Sequence, residues 1–204
     1  MSIVTKGNAR AGMNATLALV KFLCGFAVLY GVLEGTARLL GDALRPENTL
    51  LITGAVLVAA LAVEIGLFQQ SWQAVPRALG LGWPGWRAMG IALVISAVQL
   101  AAYPFISWLT GYHWTLPVNW QWIMVGVFAL HGVAEEVVYR AYLFGRLRHG
   151  RSFWRAAWLA VILFALSHLP ILATQGLLVG GMAVALAIAS SFPFARLYEQ
   201  GRNT

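Results

Sequence analysis

Acidic side chains are nearly missing from this sequence. Seven occur among 204 residues, and Asp42 is the only aspartate. A protease built on an aspartate pair is therefore excluded. Cys24 is the only cysteine, so no intrachain disulfide and no cysteine-built metal site can form. No HExxH segment offers the usual helix-borne zinc pair, and no GxSG segment offers a serine nucleophile. Charge of either sign is scarce. It makes up 10% of the residues, where a soluble domain carries about 25%. What fills the space is apolar: 60% of the chain is hydrophobic. The expected fold is all-α, a polytopic transmembrane helical bundle forming one integral membrane domain over residues 1–204.

Six runs approach the ~20 apolar residues needed to cross a hydrocarbon core. They are Thr16 to Ala37, Leu50 to Phe68, Ala88 to Leu109, Trp120 to Phe144, Phe153 to Leu169 and Ile171 to Phe194. The residues ahead of Thr16 are polar and basic, and the run after them is too long for a signal peptide. The first span is expected to stay as an anchor.

The net charge of +7 does not point to nucleic acid, because the basic residues sit in short loops between apolar runs. With six alternating spans, one side receives Lys6, Arg10, Lys21, Arg77, Arg87, Arg146, Arg148, Arg151, Arg155, Arg196 and Arg202. The other receives only Arg38 and Arg45, offset by Asp42 and Glu47. The positive-inside rule places both ends in the cytoplasm of a cell-membrane protein.

Between the second and third spans, Gln69 to Trp86 holds Trp72, Trp83 and Trp86 among Pro76, Pro84 and glycines. Tryptophan prefers the headgroup zone, so this stretch reads as an interfacial segment. The loop from Thr110 to Gln121, with His113, Trp114 and Trp120, reads as an anchor on the opposite side. Gly180 and Gly181 would let helices approach closely. Glu34 and Glu64 lie near span ends, where each is expected to reach toward water.

One apolar run carries charge in its middle: His131-Gly-Val-Ala-Glu135-Glu136-Val-Val-Tyr139-Arg140. Ionisable groups at membrane depth are costly and usually mark a functional site. Glu136 and Arg140 are spaced i, i+4 and can pair. Glu135 is rotated away from Glu136 by roughly 100° on an α-helix. His131 and Tyr139 can flank it on its own face. The next run ends in Phe164-Ala-Leu-Ser-His168, again an i, i+4 pair. A short basic turn near Gly150 joins the two runs. Glu135 precedes that turn by about as many residues as His168 follows it. In an antiparallel hairpin the two reach similar depth, where a glutamate and a histidine make a workable general-base pair for activating water.

These two motifs, Glu135-Glu136-x-x-x-Arg140 and Phe164-x-x-x-His168, resemble those of the CPBP family of intramembrane proteases. That family includes CAAX prenyl endopeptidases and proteins linked to bacteriocin immunity. Leu79-Gly80-Leu81 also looks like the family, so the resemblance covers residues 79–204. It implies an intramembrane endopeptidase without a covalent intermediate, acting on a peptide or membrane-protein substrate among membrane lipids. It implies Glu135 as the catalytic glutamate and His168 as its assistant, holding the water or stabilising the oxyanion. Glu136, Arg140 and Phe164 would support the site. The family has been called an intramembrane metalloprotease, and a metal-free glutamate mechanism is also argued. A divalent metal such as zinc and no metal at all are both compatible with the resemblance. Glu135 and His168 would be the ligands of any metal.

The family's third motif, a further histidine often followed by an asparagine, is not found after His168. The core therefore reads as C-terminally incomplete, with His131 or His113 as the available substitutes. Two other classes stay open: a non-catalytic immunity or partner-binding protein on the same scaffold, and a small proton-coupled transporter.

Overall fold

A computed structural model describes residues 4–41, 45–83, 85–111 and 115–202. Asp42, Pro84, His113 and Trp114 lie outside them, and the side chains of Lys6, Arg10 and Arg202 lie outside the described ones. The described residues are helical with no strand. Helix α1 is Val4–Leu40, and α2 is Pro46–Ala62 continued by a π-helical turn, Val63–Leu67. The short α3, Val75–Ala78, lies in the tryptophan-rich segment. Helix α4 is Gly85–Thr110, and α5 is Trp120–Arg148. The last helical run, Phe153–Arg202, is broken at Gly176 into two arms, α6 and α7.

Among the described residues, five helices are long and apolar enough to cross a membrane: Thr16–Leu40, Pro46–Leu67, Trp120–Arg148, Phe153–Leu178 and Gly180–Gly201. At the place of the expected third span, the described apolar part of α4 is the shorter Gly85–Val98. Many aliphatic side chains of these helices face outward, among them Leu93, Val94, Leu177 and Leu186. A soluble surface would not carry so large an apolar area, and a lipid-facing one requires it. The chain is a multi-pass membrane protein.

Helix α5 is the centre of the bundle. It packs against α1, α2 and the arms that follow it. Val138, Tyr142, Leu143 and Phe144 of α5 are all nearly inaccessible, as are Leu29, Ile52 and Val56 facing them. The Tyr142 hydroxyl donates to the Phe22 carbonyl at 3.0 Å. Where α2 and α5 begin, Trp122 Nε1 donates to Glu47 Oε1 at 2.8 Å. The turn expected near Gly150 is present, with Gly150 at φ 70° between Arg148 and Phe153.

Two expectations are corrected here. The fifth span does not end at Leu169. The helix runs through Pro170 and breaks at Gly176, whose φ of 78° and ψ of 171° suit glycine alone. A proline removes one backbone bond and bends a helix, whereas reversing the chain needs this positive φ. Glu64, in turn, does not reach toward water. It is 2% exposed and is held by Arg146, with Nη2 at 2.6 and 2.7 Å from its two oxygens.

The reversal is tight because of Gly180. A Cβ there would lie 2.6 Å from Leu172 Cα, which is backbone and cannot step aside. Gly181 has open space around it. Gly180→Ala should therefore destabilise the chain by about 1–3 kcal/mol, and Gly181→Ala should be nearly neutral. Thermal unfolding of the two variants in detergent tests this. Equal unfolding temperatures would show that the arms do not meet at Leu172.

Candidate active site

The middle of α5 is not an ordinary α-helix. Phe128–Ala134 and Glu136–Phe144 are π-helical, and Glu135 is the junction between them. Such winding is rare and is frequent at functional sites. The i, i+4 neighbours still meet. His131 Nδ1 lies 2.8 Å from Glu135 Oε1. Arg140 Nη1 lies 3.4 Å from Glu136 Oε1. The two adjacent carboxylates thus have separate partners, as their positions on one turn require.

Arg140 is 5% exposed, an unusual burial for a guanidinium. Glu136 offsets its charge, and two rings cover its faces. Its Cζ is 4.6 Å from the Phe164 ring centre and 5.6 Å from that of Phe194. Cation–π contact of this kind gains strength when water is excluded. Phe164 belongs to α6 and Phe194 to α7, so Arg140 ties both arms to α5. The space beside it is a cavity of only about 10 Å³, lined by residues including Tyr139, Phe164 and Ser191.

Phe164 is the hub between the two motifs. Tyr139 meets it edge-on at 4.6 Å, and His168 meets it edge-on at 4.5 Å. Tyr139 lies four residues after Glu135, and Phe164 lies four before His168. Glu135 and His168 are therefore at matched depth on neighbouring helices. The Tyr139 hydroxyl also faces Ser167.

The protonation of His168 follows from its contacts. Its Nδ1 lies 2.9 Å from the Phe164 carbonyl, which can only accept. The Ser167 hydroxyl spends its hydrogen on the same carbonyl, at 2.6 Å. Nδ1 therefore carries the proton, and in the neutral ring Nε2 is a bare acceptor.

No hydrogen bond or ion pair joins Glu135 directly to His168. The histidine that touches Glu135 is His131 of the same helix. Sequence spacing allowed this contact, yet no motif marked it. Spacing gave no signal for Glu64 with Arg146, which are 82 positions apart.

The metal suggested by the resemblance can be tested against the donors. Among the described residues, no three of His, Cys, Asp and Glu gather in one place. A zinc centre takes at least three protein ligands. The donor set does not fit, and no chemical step below is routed through a metal.

Residues 115–204 match the family model for type II CAAX prenyl endopeptidases, described as Rce1-like. Over this stretch, a little under half of its length, the chain is similar to that family. The matched segment holds α5, α6 and α7, and with them both motifs. It supports the CPBP resemblance read from those motifs. No curated protein and no solved structure matches the chain. Within the matched segment, the paired carboxylates, Arg140 and the Phe164–His168 unit form one connected cluster.

Proposed function

We propose that the chain is an intramembrane endopeptidase of the CPBP type, in which Glu135 activates a water to attack a peptide bond. The observation that carries this reading is the division of labour between the two carboxylates. Glu136 is tied to a buried arginine, while Glu135 has one oxygen held by His131 and the other without a partner among the described residues. A general base needs such an oxygen.

The steps balance without a covalent intermediate. Glu135 Oε2 takes a proton from water. The water oxygen bonds to the carbonyl carbon, and the carbonyl electrons move onto oxygen. As the C–N bond breaks, the proton on Glu135 passes to the leaving amine. His168, with Nε2 as acceptor, orients the water rather than donating to the oxyanion. Arg140, Glu136 and Phe164 hold the two helices in register. Substrates are peptides or membrane proteins reaching this depth in the bilayer.

The test is the appearance of new protein termini in membranes, read by mass spectrometry. Cells making the wild-type chain should show termini that are missing with His168→Ala. Identical termini in both would overturn the reading.

His131 has a positioning role in this scheme. Removing its hydrogen bond to a charged group should cost about 1.5–3 kcal/mol, or roughly 10–100-fold in kcat. KM should change little. His131→Asn restores a donor near Nδ1 and should recover most of the rate. If His131→Ala and His131→Asn are equally slow, the hydrogen bond is not what positions Glu135.

A further inference from the structure

A second site lies at the other end of α5, away from the carboxylates. Two adjoining lobes, about 360 and 260 Å³, open between α3 and the last turn of α5. Arg77, Gly145 and His149 line both. The acidic groups of this cleft are already occupied. Glu64 is held by Arg146, and Glu199 is shared by Arg148 at 2.6 Å and Arg196 at 2.9 Å. Arg77 is exposed, and no acidic side chain pairs with it among the described residues. Four arginines thus face two glutamates, and Arg77 is the cation left over. His149, its Nδ1 committed to the Gly145 carbonyl at 2.9 Å, adds a second polar group beside it.

The surroundings identify the depth of the cleft. Arg77 sits on α3, inside the segment that carries Trp72, Trp83 and Trp86. All three are well exposed, at 68%, 60% and 78%. Tryptophans exposed in a membrane protein collect at headgroup level. A cleft with surplus positive charge at that level faces lipid phosphates rather than acyl chains or bulk solution. We propose that this cleft binds the phosphate of an anionic lipid headgroup, with Arg77 as its principal contact. The proposal stands apart from peptide cleavage and would survive the failure of that reading.

Native mass spectrometry of the full chain, released from detergent with equal phosphatidylglycerol and phosphatidylcholine, tests it. The wild type should retain phosphatidylglycerol in preference. A basic residue near an anionic surface contributes about 1 kcal/mol, so Arg77→Gln should reduce that preference about fivefold. Arg77→Glu should abolish it. Arg87→Glu, just after that segment in the first turn of α4 and outside the cleft, should leave it intact. Equal losses in the Arg77 and Arg87 variants would mean diffuse attraction and would overturn the site. Displacement of the lipid by inorganic phosphate would assign the cleft to a soluble phosphate and overturn the lipid. Because Arg77 is exposed, unfolding temperatures close to wild type are expected for its variants. Arg77→Gln alone can carry the comparison.

Discussion

Glu135→Gln is expected to lower peptide cleavage by about 10²–10⁴-fold, the usual worth of a general base. The change is nearly isosteric, so its cost falls on chemistry rather than folding. The amide oxygen can still accept from His131 Nδ1, which keeps the side chain in place. What is lost is the ability to take a proton at Oε2. Glu136→Gln should behave differently. It leaves Arg140, 5% exposed, without its charged partner, and a buried unpaired charge is strongly destabilising. The first variant should be abundant and inactive; the second should be scarce in the membrane. Single-turnover cleavage and protein level, measured together, separate them. Equal cleavage by wild type and Glu135→Gln would end the glutamate mechanism. If Glu135→Gln kept the protein's biological role, a partner-binding function would replace it.

The second large effect is expected at Glu64. This carboxylate is buried in the π-helical end of α2 and accepts two hydrogen bonds from one nitrogen of Arg146. The guanidinium lies over Phe68, 3.3 Å from its centre, so its charge has little access to water on that side. Removing one partner of a buried pair costs about 3–5 kcal/mol, and Arg146, whose side chain is still 23% accessible, sets the loss toward the lower end. Glu64→Leu should therefore lower the unfolding temperature markedly. The double variant Glu64→Leu/Arg146→Met should recover much of the loss, since an apolar pair of similar volume is often neutral or better. A double variant no more stable than Glu64→Leu would mean that the arginine is not buried with its partner. Neither residue touches Glu135, so the stable double variant should keep its activity.

Much of the site was legible because it is local. His131 with Glu135, Glu136 with Arg140 and Phe164 with His168 are all i, i+4 pairs. Counting outward from the turn at Gly150 set Glu135 level with His168. The arginines show where such reading stops. Arg146 looked like one more basic loop residue beside Arg148 and Arg151, and its role depends on a carboxylate 82 positions away. The winding of α5 was illegible for another reason. The pattern of apolar residues over two turns is too short to separate π from α, and Glu135 keeps ordinary α backbone angles, φ −64° and ψ −38°. In the sequence the fifth span ends at Leu169, where the apolar run meets Pro170. The break lies at Gly176, where the geometry demands it.

That break also makes the two arms one body. With Gly180 pressed on Leu172, the corner between α6 and α7 leaves no room for one arm to slide along the other. Phe164 stands on one arm and Phe194 on the other, and both rings lie over Arg140. The charged middle of α5 is thus gripped between the jaws of a single stiff clip.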